Sequence, residues 1–283
     1  MKVRKGVFGA VLLLCATLCM TNVTALADDG THTHPICGTT HTDIGDHTGE
    51  CADVVWTAWD GTSDIDYGDD NTAYVYLSGN AERNEQFAVK DGKTLYLCLN
   101  GYSITRTTDS TDAFDAVIRV YGDAQLVLCN CKGSGTITHS AGVYGRGVRL
   151  GTSSSSGKFI MYGGEISGNR SGAPSGKYTE NGAGVEGQQS NFTMYGGKIT
   201  DNHVINGNEG GGVNMHTGGT FTMYGGEISG NACSDTDGGV ISVGTSLKLY
   251  GGTISNNTAD KRGGGVFTNM PLTISDGFTI YRQ

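Results

Sequence analysis

Two pairs of side chains near the start of the chain have the types and spacing of a metal centre. Cys37-x3-His41 and His47-x3-Cys51 are mirror images of one another, with His32 and His34 close by. Thiolate and imidazole suit tetrahedral Zn²⁺, and a closed set of four protein ligands makes a structural site rather than a catalytic one. The same cysteines also fit a Cys37–Cys51 disulfide with solvated histidines, the pairing that an oxidising compartment favours. Both readings stay open. Oxygen ligation is the next chemistry. Glu180, Glu209, Asp235 and Asp237 precede glycine-rich blocks, where stacked carboxylates are candidate calcium ligands or hydrated acidic loops. Cys98 and Cys129 occupy equivalent places one repeat apart, which fits a staple between them, with Cys131 as the rival partner, and fits equally well small buried thiols.

No residue is singled out as catalytic. The chain lacks a Gly-x-Ser-x-Gly elbow. Gly151-Thr-Ser-Ser-Ser-Ser-Gly-Lys158 has one residue too many for a phosphate loop and is followed by Phe159 rather than Ser or Thr. Arg149, Glu186 and Asn214 fall at equivalent repeat positions, but no acidic cluster joins them. Trp56 and Trp59 read as cover for one end of a core or as sugar-stacking platforms.

The elements that must carry these residues follow from a repeat. Phe159-Ile-Met-Tyr-Gly-Gly-Glu-Ile-Ser-Gly-Asn169 returns as Phe192 to Asn202, Phe221 to Asn231 and Leu247 to Asn257. Before or between these copies stand Gly145-Arg-Gly-Val148, Gly182-Ala-Gly-Val185, Gly210-Gly-Gly-Val213, Gly238-Gly-Val240 and Gly263-Gly-Gly-Val266. Phe159 and Met161 alternate with Ile160, the period of a strand with one buried face. The glycine pair then permits a corner, Ile166 points inward from a second short strand, and the Gly-x-Gly-Val block supplies a third. Three short strands per repeat describe one turn of a parallel β-helix. Helices are excluded because glycine pairs interrupt every stretch and none keeps a 3.6-residue period.

Stacking the turns predicts inward ladders of Phe159, Phe192, Phe221, Leu247 and Leu272, of Ile166, Ile199, Ile228 and Ile254, and of Val148, Val185, Val213, Val240 and Val266. Asn169, Asn202, Asn231 and Asn257 would form an amide ladder at a corner, each tolerating left-handed geometry there. Outward, Glu165, Lys198 and Glu227 alternate in sign. Weaker copies at Leu95 to Cys98 and Leu126 to Cys129 extend the pattern upstream, giving an all-β solenoid of about seven turns, each rising about 4.8 Å. The final turn, Leu272 to Ile280, carries no polar cap, so the polypeptide is expected to continue beyond Gln283.

Residues 1–27 read as a signal peptide: Lys2, Arg4 and Lys5, the apolar run Val7 to Cys19, and a cleavage site at Ala27/Asp28. The apolar run is too short to span a bilayer, so the mature chain is expected to be secreted or at the cell surface without a transmembrane segment. Residues 28–59 form the Cys/His-rich segment and 60–283 the β-helix. Glycine supplies 47 of 283 residues and the formal charge is -9. That composition fits strands and turns, and its acidity excludes the basic stripe that nucleic-acid binding needs.

Gly92-Lys-Thr-Leu-Tyr-Leu-Cys-Leu-Asn-Gly-Tyr-Ser-Ile-Thr105 and the downstream repeats resemble secreted bacterial right-handed parallel β-helix proteins of the pectate-lyase-like superfamily. The Gly-Gly-Gly-Val and Ile-Ser-x-Asn pairs are similar to the GGA(I/L/V) and FxxN repeats of polymorphic outer-membrane adhesins, with Ile in place of Phe. The resemblance covers about residues 72 to 283 and implies a scaffold that serves adhesins and enzymes alike. The expected function is a non-catalytic module for adhesion to polysaccharide or host-surface glycoprotein, the N-terminal part of a larger protein. The alternative is a polysaccharide lyase or glycosidase. No cofactor is expected beyond the candidate zinc and calcium.

Overall fold

The computed structural model describes residues 31–33, 55–109, 115–172, 181–205, 209–234, 241–261, 263–268 and 270–281. Among these residues every regular element is a β-strand. Strands of ten, eight, seven and four members line up as four sheets. Neighbours within each sheet are parallel, apart from the antiparallel pairing of Thr31–Thr33 with Val55–Trp59. The chain visits the sheets in rotation, so each strand pairs with its counterpart roughly one repeat later. That is a parallel β-solenoid.

Register is set by the apolar faces, because a slip of one residue would turn each strand inside out. Phe159, Phe192, Phe221, Leu247 and Leu272 are direct partners in the first sheet. Ile166, Ile199, Ile228 and Ile254 are partners in the second. The rings of Phe159, Phe192 and Phe221 stack with centroids 4.8 Å apart at each step, the spacing of the strands that carry them. All three are buried, and each fully buried side chain of this size stabilises the fold by roughly 1.5–3 kcal/mol.

Three features differ from the sequence expectation. In the third sheet the ladder runs Val148, Val185, Val213, Ile241, Val266, with Ile241 rather than Val240 in register. A fourth sheet follows the amide corner: Arg170–Ser171, His203–Val204, Ala232–Cys233 and Thr258–Ala259 pair for two residues each. Val204 and Cys233 turn inward there against Ala183. The left-handed residue at the corner is not the ladder asparagine. It is the residue before it: Gly168, Asp201, Gly230 or Asn256, with φ between 53° and 69°. Small or short polar side chains take that conformation at least cost, which leaves the asparagine amide aimed inward.

The amide ladder itself forms as expected. Asn169, Asn202 and Asn231 each donate from Nδ2 to Oδ1 of the next asparagine, at 2.9, 3.0 and 3.1 Å. Each acceptor oxygen also takes the backbone N–H of the preceding asparagine, and each Nδ2 reaches an isoleucine carbonyl one turn back. His139 begins the row, with Nδ1 2.8 Å from Asn169 Oδ1. Because Asn169 uses its Nδ2 as a donor elsewhere, its oxygen must accept, so His139 carries its proton on Nδ1. Burial holds the His139 imidazole down at about 4.

At the other corner the second glycine of each pair is left-handed, with φ of 86° at Gly197. A Cβ there would sit 2.6 Å from Met161 Cε and 2.8 Å from the Gly164 carbonyl oxygen. The methionine of one turn thus fills the space that the next turn's glycine leaves.

Both tryptophans are buried, on opposite faces of the first sheet. Trp59 enters the solenoid interior and packs on Phe87, with ring centroids 4.9 Å apart. Trp56 lies on the outer face with Tyr74 and Tyr96, whose rings stack at 4.5 Å.

Candidate functional site

The outer face of the third sheet carries a concentration of buried charge. Arg119, Arg149, Glu186 and Asn214 are successive register partners there. Inward neighbours such as Val148, Val185 and Val213 fix the strands, and strand alternation sends the intervening residues outward. Arg149, Glu186 and Asn214 are all at most 4 % exposed.

Glu186 is the hub. Arg149 Nη1 stands 2.7 Å from its Oε1, His216 Nε2 stands 3.0 Å from the same oxygen, and Arg146 forms a further ion pair with Oε2. Burial alone would raise the Glu186 carboxyl. Arg146, the His216 hydrogen bond and Arg149 together outweigh it and hold the group below the usual carboxylate range. Glu186 is therefore an ionised carboxylate with its charge engaged by cations, which suits structural neutralisation and removes it as a proton donor. Asn181 and Asn214 also approach His216 Nε2, at 3.3 and 3.2 Å. About a third of the His216 side chain remains exposed. A second buried pair, Arg106 with Asp115 at 3.1 Å, adjoins this face.

An open groove lies at the glycine corner between the first and second sheets. It encloses about 310 Å³ and is lined by Asn130, Gly133, Ser134, Gly135, Gly164, Glu165, Gly197 and Lys198. Its floor is backbone, since glycine corners remove the side chains, and Glu165 and Lys198 are register partners beside it. Lys198 also meets Glu227 at 3.5 Å, so the alternating charges of the sequence do face one another on the solvated surface. One residue before each glycine pair stands a tyrosine. Tyr162, Tyr195, Tyr224 and Tyr250 form a continuous half-buried stack with centroids 4.9 to 5.0 Å apart. Burial pushes the Tyr162 hydroxyl up to about 12, so it stays a neutral hydrogen-bonding group. Two further clefts, of about 430 and 480 Å³, flank the loop at residues 60–67.

The metal-ligand expectations fall mostly elsewhere. Cys37, His41, His47 and Cys51 lie outside the described residues, as do Glu180, Asp235 and Asp237. Glu209 is described: it is half-buried, and its backbone carbonyl accepts the N–H of Gly182 at 2.9 Å. Among the described residues no group of three or more His, Cys, Asp or Glu side chains is arranged to hold a metal ion. No described helix is long and apolar enough to cross a membrane. Cys98 and Cys129 are register partners, and Cys131 Sγ lies 3.4 Å from Cys98 Sγ.

Sequence reasoning found Arg149, Glu186 and Asn214 but missed Arg146, His216 and His139. Arg146 had a signal: it is the large residue at a repeat position that Ala183 and Gly211 occupy in later turns. His216 and His139 had none, because their partners are supplied by different turns.

No protein-family model matches this chain, and comparison with curated proteins and with solved structures finds no match.

Proposed function

We propose that this chain is a non-catalytic solenoid of a secreted or cell-surface protein that holds a neutral glycan along its glycine corner. The observation that carries the reading is the groove itself. Its backbone floor and its polar rim of Asn130, Ser134, Glu165 and Lys198 offer donors and acceptors of both kinds. The repeat of the tyrosine stack, about one strand spacing, is comparable with the length of one pyranose unit in an extended chain. A surface bearing both a carboxylate and an ammonium, on a chain of charge -9, favours neutral sugars over polyanions. The similarity of the repeats to those of adhesins supports the same class. Export is supported by the basic start, the apolar run and Ala25-Leu26-Ala27, and it predicts a mature chain beginning at Asp28 by N-terminal sequencing.

The direct experiment is retention of the protein in gels containing neutral polysaccharides. Ser134→Trp should abolish retention, because Ser134 is exposed and its replacement obstructs the groove without touching the core. Unchanged retention of that variant, or no retention of the parent on any glycan, defeats the reading.

A polysaccharide lyase or glycosidase is the second reading, and one observation favours it. The partly exposed His216 imidazole is oriented by a buried carboxylate, the arrangement of a positioned base. Cleavage products that form with the parent and vanish in His216→Ala would establish that reading in place of the first.

A further inference from the structure

We infer that Cys98 and Cys131 are a disulfide-forming pair that closes one full turn of the solenoid into a covalent ring, with Cys131 as the entry point for the oxidant. Their sulfurs are in contact at 3.4 Å, and the two residues stand 33 apart in sequence. Cys98 ends a strand of the first sheet and is buried, whereas Cys131 lies in the exposed turn that follows the next strand of that sheet. Asn100 holds both. Its backbone N–H donates to Cys98 Sγ at 3.3 Å, its side-chain oxygen accepts from Cys131 at 3.5 Å, and its Nδ2 is anchored on the Leu77 carbonyl at 3.0 Å. Asn100 itself is buried with φ of 51°, so this bridge is a fixed feature of the corner. Cys129, the register partner of Cys98, lies with it in the aromatic cluster of Trp56, Tyr76 and Tyr96 on the outer face of the sheet, and is the rival that the test must separate from Cys131.

The chemistry is thiol–disulfide exchange with an external disulfide, such as oxidised glutathione or the disulfide of an oxidoreductase. The exposed Cys131 thiolate attacks one sulfur of that disulfide, and the other sulfur leaves as a thiolate that takes up the Cys131 proton. Cys98 then attacks Cys131 Sγ, its proton passing to the second departing thiolate. Two protein thiols lose two electrons and two protons, and the external disulfide becomes two thiols. The amide donated by Asn100 stabilises the negative charge that develops on Cys98. Because Asn130 lies between Cys129 and Cys131 and lines the groove, the ring also fixes the wall of the glycine corner. The inference stands without the glycan reading.

The test is peptide mapping of the full chain after treatment with oxidised glutathione and alkylation of remaining thiols. Trypsin cuts after Lys93, Arg106, Arg119 and Lys132, so the expected product is Thr94–Arg106 joined to Val120–Lys132. Fragment ions that break the backbone at Asn130 assign the sulfur within the parent protein itself. The linked species should persist in Cys129→Ser and disappear in Cys131→Ser. A ring of this size should raise the melting midpoint by about 5 °C or more over the reduced chain. Linkage through Cys129, or both peptides fully alkylated after oxidation, overturns the inference.

Discussion

Replacing Asn202 with alanine removes four hydrogen bonds from the middle of the amide ladder. Its Nδ2 donates to Ile166 O at 2.8 Å and to Asn231 Oδ1 at 3.0 Å, while its Oδ1 accepts the backbone N–H and the Nδ2 of Asn169 at 3.2 and 2.9 Å. Asn169 Nδ2 keeps two other acceptors, Ile137 O and Ser167 O, and Asn231 Oδ1 keeps the Asn202 backbone N–H. The Asn169 backbone N–H is left bare at a fully buried corner, while the Ile166 carbonyl keeps its place in the parallel ladder beside Thr200. An orphaned buried group costs about 1–3 kcal/mol, so the variant should lose about 2 kcal/mol. Urea unfolding followed by circular dichroism reads the total. Hydrogen exchange at the Asn169 amide reads the local opening, which matters because a solenoid can melt turn by turn. Asn202→Asp adds a sign test: the carboxylate still accepts from Asn169 but cannot donate to Ile166 O or Asn231 Oδ1. Its folded-state pKa should therefore be raised, and the variant should gain stability as the pH is lowered and the proton is taken up. The exposed Asn191→Ala control should change stability by less than about 0.5 kcal/mol. A loss below about 1 kcal/mol in Asn202→Ala, or an Asp variant indifferent to pH, would refute the reasoning.

The other predictions concern single sites. His139 has its folded pKa lowered to about 4 from an ordinary 6.5 by burial, so the unfolded chain binds the extra proton between those values. Stability should thus rise with pH across that window, by at most about 3 kcal/mol. His139→Gln should flatten the slope, and an unchanged pH dependence of unfolding would contradict this. Gly197→Ala should lower stability by about 3 kcal/mol, since it combines a left-handed φ with contacts below 3 Å to Met161 and Gly164. Shortening Met161 in the same chain should recover only part of that loss in a melting experiment. Glu186→Gln removes the buried carboxylate that Arg146 and Arg149 share and should cost about 3–5 kcal/mol in urea unfolding. A neutral outcome would mean that the cluster is solvated in solution.

What could be read from the sequence was what repeats. Phe159, Ile166, Val148 and Asn169 recur at fixed positions, and a recurring residue in a stacked fold meets its own copy, so the ladders and their register followed directly. Val240 was misplaced for the converse reason. Its block is one residue shorter than its counterparts, and alignment by glycines put Val240 where register puts Ile241. The fourth sheet was hidden because its strands, such as Arg170–Ser171 and Thr258–Ala259, repeat no residue type at equivalent positions. A backbone ladder of two residues needs no side-chain pattern to form. The Glu186 site was half legible. Register alone places Arg149 beside Glu186, but Arg146 and His216 reach the same carboxylate through side-chain length, which repeat spacing does not encode. The thiol pair followed the same rule: stacking pointed to Cys129, whereas the turn after the strand brings Cys131 to Cys98.

The central claim is binding to a neutral glycan without cleavage, and one incubation tests it. The purified chain is mixed with a set of neutral polysaccharides, retention is measured by affinity electrophoresis, and new reducing ends and unsaturated products are assayed in the same samples. The account predicts retention by at least one glycan, loss of that retention in Ser134→Trp, and no cleavage product in either sample. Chain scission by the parent that depends on His216 would contradict it.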